Sequence, residues 1–145
     1  MAVNNAILLV EDNADDEVLM LRAMHGRVVG ASVTVARDGV EALEYLFTAD
    51  DQGDARMPRV VILDLKLPRI DGFDVIARLR GDPRTQPLPV VVFSSSSERE
   101  DVRRCAELGA NSYVVKPVVA EQYKQTVWSM LRYWLNLNQT PDLRP

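Results

Sequence analysis

Val60-Val61-Ile62-Leu63-Asp64 is a run of four apolar residues closed by an acid. A strand with one wet face alternates apolar and polar residues. A continuous run instead requires cover on both faces, as in a parallel sheet. The same shape recurs at Ile7-Leu8-Leu9-Val10 and at Val90-Val91-Val92-Phe93, and shorter β-branched pieces stand at Val33-Thr34-Val35-Ala36 and Tyr113-Val114-Val115. Between them lie segments with helical spacing. Ala14, Val18, Leu21 and Met24 share one face of the first. Asp38 and Glu41 form a capping box that opens the second, through Leu43, Leu46 and Phe47. Gly72 to Leu79 is the third, with Phe73, Ile76 and Leu79 on one side. Ser97 is the expected N-cap of the fourth, with Gly109 just past its end. Val119 to Leu137 is the fifth, followed by a polar tail over 138–145. Strand and helix therefore alternate as (βα)5, which predicts an α/β, doubly wound, parallel five-stranded sheet with right-handed crossovers. The expected organisation is one domain over 1–145, with its core at about 5–137 and no output domain.

The chain has 145 residues, 47% of them hydrophobic, and a formal charge of −4 from 21 acids against 17 bases. That balance argues against a nucleic-acid partner, which needs a concentrated basic surface. No apolar run has the length of a membrane span, and Met1 to Asn5 lacks the basic start of a signal peptide. A single cysteine, Cys105, excludes an internal disulfide, and a single histidine, His25, excludes a His-pair metal site. Cys105 reads as core packing and His25 as an exposed residue near a helix end. A cytoplasmic protein is expected.

The charge is unevenly placed. Glu11-Asp12-Asn13-Ala14-Asp15-Asp16-Glu17 holds five acids and no base, so the rest of the chain has 16 acids against 17 bases. Glu11 and Asp12 leave the first strand at its carboxyl end, Asp64 the third, Ser94 the fourth and Lys116 the fifth. In open parallel sheets ligands sit beyond the carboxyl ends of the strands. Carboxylates gathered there repel, and one ammonium cannot neutralise three. A hard divalent cation with oxygen ligands relieves the repulsion, and Mg²⁺ suits carboxylates shared with phosphate and water. Asp15, Asp16 and Glu17 read as a solvated acidic helix start, favoured by the macrodipole.

Four motifs stand in order at predicted strand ends: Val10-Glu11-Asp12; Leu63-Asp64-Leu65-Lys66-Leu67-Pro68 followed by Asp71-Gly72; Phe93-Ser94-Ser95; and Tyr113-Val114-Val115-Lys116-Pro117. On these the chain resembles the receiver domain of two-component response regulators over essentially its whole length. The resemblance implies a flavodoxin-like sheet of strand order 2-1-3-4-5. It makes Asp64 the phosphoacceptor, with Glu11, Asp12, Asp64 and the backbone carbonyl of Lys66 around Mg²⁺. Ser94 and Lys116 would bind the phosphoryl oxygens, and Tyr113 would switch position with Ser94. The Lys116-Pro117 peptide is expected to be cis. The partner implied is a histidine kinase. The ending Tyr133-Trp134-Leu135-Asn136-Leu137-Asn138-Gln139, with Gly109-Ala110-Asn111-Ser112-Tyr113, further resembles stand-alone receivers paired with kinases of bacteriophytochrome type.

The fifth helix carries a wide apolar band. Tyr123, Val127, Leu131 and Trp134 lie in its central arc, with Trp128 and Leu135 to one side and Tyr133 to the other. A one-sided helix needs a stripe of roughly 100°. The excess predicts a homodimer interface through helix five. Roles as a phosphate sink, as a relay intermediate or as a binding module that is never phosphorylated remain open. A dehalogenase-type phosphatase would need a second acid two residues after Asp64, where Lys66 stands. Flavin binding would need a phosphate loop after the first strand, where acids stand instead.

Overall fold

A computed structural model describes residues 5–28, 30–51 and 57–141. The elements run β1 (Ala6–Val10), α1 (Ala14–Met24), β2 (Ser32–Ala36), α2 (Gly39–Asp51), β3 (Val60–Leu63), α3 (Gly72–Arg80), β4 (Val90–Ser94), α4 (Arg99–Leu108), β5 (Ser112–Val115) and α5 (Ala120–Arg132), with a π-helical turn over Tyr133–Leu137. The strands form one parallel sheet in the order β2-β1-β3-β4-β5. This is the doubly wound arrangement expected, and β1, β3 and β4 are adjacent, so the ends carrying Glu11, Asp64 and Ser94 meet on one rim. Residues 52–56 and the end of the tail at 142–145 lie outside the described residues.

Alternate residues of the continuous strands serve opposite faces. Leu8, Val10 and Leu63 pack with Leu46, Ile76, Leu79 and Cys105 under α2, α3 and α4. Ile7, Leu9 and Ile62 pack with Met20, Ala23, Tyr123 and Val127 under α1 and α5. Cys105 is fully buried, as expected, and His25 is exposed.

Three local expectations change. The buried side of α1 is Met20, Ala23 and Met24, while Val18 and Leu21 are exposed. The apolar spacing offered two overlapping stripes, and the sheet selects the other one. Glu98 rather than Ser97 precedes α4, and its side chain makes no capping bond. Ser96 instead donates to Asp101 at 2.6 Å and accepts from the Glu98 N–H at 3.3 Å, so the loop closes one residue earlier. No described peptide is cis, so Lys116-Pro117 is trans, the isomer that X-Pro bonds favour by a fraction of a kcal/mol to about 1 kcal/mol.

The band on α5 is absorbed within the chain. Tyr123, Val127, Leu131 and Leu135 are buried in the core of the protein itself. Trp128 donates its indole N–H to the Ala23 carbonyl, and the Arg27 guanidinium lies 4.0 Å from its ring centre. These five are therefore spent on the sheet and on α1, and they do not face outward as the dimer reading required. Tyr133 is exposed and Trp134 half-buried, in edge-to-face contact at 5.0 Å.

At the end of the sheet away from the acidic rim, Arg80 ties the end of α3 to the loop before β4 and to the loop between α4 and β5. Its guanidinium donates to the carbonyls of Gly109 (2.8 Å), Gln86 (3.0 Å) and Leu88 (2.9 Å) and to Asn111 Oδ1 (2.8 Å). Gly109 caps α4 in the left-handed region, at φ 102°. On the rim side, Gly72 opens α3 pressed against the turn that leaves β3. A Cβ there would stand 2.5 Å from the Asp64 carbonyl oxygen and 2.7 Å from Leu65 Cα. Backbone atoms cannot swing aside, so Gly72→Ala is expected to cost about 3 kcal/mol in chemical denaturation. A loss below about 0.5 kcal/mol would show that the turn yields freely.

Candidate functional site

Parallel pairing carries each strand to the same rim and leaves the next residue there. Glu11 follows β1, its N–H bonded to the Ala36 carbonyl, and Asp64 follows β3, its N–H bonded to the Val10 carbonyl. Lys116 follows β5, its N–H bonded to the Ser94 carbonyl at 2.7 Å. The Lys116 side chain, 8% exposed, enters the rim and places Nζ 2.5 Å from Glu11 Oε1, 2.9 Å from Asp16 Oδ2 and 3.0 Å from Asp64 Oδ2. The three carboxylates each offer an oxygen within 4.8 Å of the others. A cavity of about 520 Å³ opens above them, lined also by Asp12, Lys66 and Ser95.

Two carboxylates expected here, Glu11 and Asp64, are thus joined by Asp16, which the sequence reading left as a solvated helix start. Asp12 is exposed and lines the cavity without entering the cluster. A signal for Asp16 existed. Asn13 caps α1 by accepting from the N–H groups of Asp15 (2.9 Å) and Asp16 (3.1 Å), which starts the helix at Ala14. Running the buried stripe Met24, Ala23, Met20 back by one turn lands on position 16. Lys66 lies exposed at the cavity wall, and its backbone N–H is 3.4 Å from Asp64 Oδ1.

Ser94 is buried at the end of β4, and its hydroxyl oxygen accepts from the Ser96 N–H at 3.2 Å. Tyr113 is half-buried and donates its hydroxyl to the Ser96 carbonyl at 2.8 Å. Ser94 and Tyr113 therefore both hold the β4–α4 loop, one on each side of the Ser96 peptide.

The electrostatics follow from burial. Glu11 is 4% exposed, and burial pushes its carboxyl from 4.5 up to about 7; the Lys116 hydrogen bond opposes this and Asp64 adds to it. Burial also works against the Lys116 ammonium, but its bonds to Glu11 and Asp16 and the charge of Asp64 outweigh that, and its pKa is raised. An acid whose folded pKa lies above its unfolded value binds its proton more tightly when folded. Stability therefore falls as pH rises from 4.5 to about 7, through the Glu11 titration. In chelator, urea denaturation is expected to show a loss of about 2–3 kcal/mol between about pH 5 and pH 8. Glu11→Gln should flatten that slope, and an unchanged slope would mean that another group titrates.

A doubly wound sheet whose rim gathers three acids around one lysine offers the oxygen donors that hard cations take, at the strand ends where such sheets bind their ligands. The chain belongs to the response regulator receiver domain family, which it matches over residues 7–127, and is thus a two-component receiver. It is 38% identical to the probable methanogenesis regulatory protein FilR2 of Methanothrix harundinacea, over 93% of this chain and 86% of that protein. Its fold is similar to that of the phosphorylated cyanobacterial phytochrome response regulator RcpA, with TM-score 0.89 and 34% identity, covering 97% of this chain and 100% of that one. It is also similar to the Mn²⁺-bound form of the response regulator Rcp1, with TM-score 0.86 and 29% identity over 95% of this chain and 99% of that one; Rcp1 is a protein of Synechocystis. Among the described residues no helix is long and apolar enough to cross a membrane.

Proposed function

We propose that Asp64 accepts a phosphoryl group from a histidine kinase in a reaction that needs Mg²⁺. The observation that carries this is the Lys116 ammonium 3.0 Å from Asp64 Oδ2, inside an excess of carboxylate. A carboxylate oxygen of Asp64 forms the new O–P bond as the P–N bond of a phosphohistidine breaks. The imidazole leaves with the electrons of that bond. Lys116 offsets the negative charge that gathers as anion meets anion, so these residues act by position and charge. The excess acid fits a hard cation, since three carboxylates share one ammonium and Glu11 is pushed up to about 7. Glu11 and Asp64 would hold Mg²⁺, with Asp12 at the cavity mouth and the backbone carbonyl of Lys66 as further donors. When bound, the ion supplies charge neutralisation to the phosphoryl oxygens.

Ser94 would donate its hydroxyl hydrogen to the phosphoryl group and draw the β4–α4 loop inward. Tyr113 would follow, because its hydroxyl is tied to the Ser96 carbonyl of that loop. The altered surface would then be α4, β5 and α5. The protein would signal as a receiver in the cytoplasm and not turn over external substrates. Likeness to RcpA, a cyanobacterial phytochrome response regulator, supports a kinase of phytochrome type as partner. The test is incubation with a small phosphodonor, followed by intact mass. One phosphoryl group gained with Mg²⁺ and lost with chelator supports the proposal, and no gain in either condition sinks it.

A homodimer through the β5–α5 side is a second part of the proposal, on a narrower surface than the helix band. β5 is an edge strand, and Val114, Met130, Tyr133 and Trp134 line a groove beside it. A second copy would cover that edge. Light scattering at micromolar protein should give twice the monomer mass, falling with Tyr133→Glu. A monomer in both phosphorylation states would remove this part alone.

A further inference from the structure

The proposed chemistry leaves Asp16 without a task, yet its carboxylate is one of three that hold the Lys116 ammonium, at 2.9 Å. An ammonium has three N–H donors. Glu11, Asp16 and Asp64 account for all of them. A phosphoryl oxygen arriving on Asp64 can receive a donor from Lys116 only if an existing contact yields. The three contacts are not equally replaceable. Glu11 is 4% exposed, and releasing its cation would strand a buried charge. Asp64 is the acceptor itself. The Asp16 side chain is 30% exposed, so water can take over from the lysine. Its place is built and not incidental, because the Asn13 cap fixes the first turn of α1 and the helix continues into the buried Met20, Ala23 and Met24.

We propose that Asp16 is a positioning residue, the resting counter-ion of Lys116, which competes with the phosphoryl group on Asp64 for that ammonium. It thereby lowers the readiness with which the rim takes a phosphoryl group. The idea rests on the phosphoacceptor reading and deepens it. Neutralising Asp16 removes both the competitor and one negative charge beside an incoming anion. Phosphoryl affinity should therefore rise, while a role as an indispensable metal ligand would make it fall.

The test uses the full chain as wild type, Asp16→Asn and Asp16→Glu, with two readouts. The first is metal-free. The sequence has three lysines, Lys66, Lys116 and Lys124, and the first and last are exposed. Only the enclosed Lys116 ammonium should keep its protons long enough to be seen by ¹⁵N-resolved NMR. Its signal should broaden from faster exchange in Asp16→Asn and return in Asp16→Glu. The second readout is titration with beryllofluoride, a phosphoryl mimic, at saturating Mg²⁺. Asp16→Asn should bind it about fivefold more tightly, and Asp16→Glu as wild type does. Unchanged or weaker beryllofluoride binding in Asp16→Asn, beside a wild type that does bind, overturns the role of Asp16 alone. A wild type that takes up neither beryllofluoride nor a phosphoryl group overturns the phosphoacceptor reading and the competition with it.

Discussion

Asp64→Asn is expected to abolish phosphoryl incorporation from a small phosphodonor in the presence of Mg²⁺, leaving the intact mass unchanged. An amide oxygen is a far weaker nucleophile than a carboxylate. Asp64 leaves the central strand β3 beside Lys116, whereas Glu11 is enclosed and Asp12 stands at the cavity mouth. The same change should act on the metal-free fold in the opposite sense. Asp64 is among the groups that push the Glu11 carboxyl up to about 7, behind burial and against the Lys116 hydrogen bond. Without its charge, Glu11 should titrate lower and stability at pH 7 should rise by about 1 kcal/mol. Mass spectrometry and a ¹³C NMR titration of Glu11 read the two effects separately. Labelling at the wild-type level would place the acceptor elsewhere.

Lys116→Met carries the other large effect. Methionine keeps an apolar stem but removes the one cation among three acids. Breaking an enclosed ion pair by removing one partner leaves charge without compensation, and about 3 kcal/mol of stability should be lost at pH 7 in chelator. The sign follows from linkage. Lys116 has a raised folded pKa, so its contribution is fully present below 10.5 and disappears only in strongly alkaline solution. The deficit should therefore persist at neutral pH. Added Mg²⁺ should stabilise the variant more than the wild type, because the acids no longer have a resident cation. Urea denaturation with and without Mg²⁺ measures both. A variant as stable as wild type in chelator would show that the carboxylates disperse or protonate without cost.

The sheet was legible because Ile7 to Val10, Val60 to Leu63 and Val90 to Phe93 leave no polar residue to face water. Glu11, Asp64, Ser94 and Lys116 were legible for a related reason: each is the first polar residue after such a run, which a parallel sheet delivers to one rim. Asp16 was not. The first helix offered two apolar stripes, and choosing Ala14, Val18 and Leu21 turned position 16 toward solvent. Only the packing of Met20, Ala23 and Met24 on the sheet resolves that choice. The fifth helix misled in another way. A helix wheel counts apolar width without showing what covers it, and Trp128 is taken by the Ala23 carbonyl of α1 and by Arg27 in the turn after it. The loop before α4 was misjudged at Ser97 because adjacent serines are interchangeable until Asp101 selects Ser96.

The Arg80 cluster sets how a disturbance at the acidic rim can travel. The guanidinium pins the end of α4 at Gly109 and the approach to β5 at Asn111, while Ser96 and Tyr113 meet at the opposite end of α4. The end of α4 is held by the Arg80 bond to Gly109, which the bonds to Gln86, Leu88 and Asn111 fix in place, and its start is held only by a loop, so Arg80 is the natural pivot of the helix. A small pull on the Ser96 peptide is therefore expected to tilt the helix and not slide it. The displacement should grow with distance from the pivot and be greatest beside the rim itself.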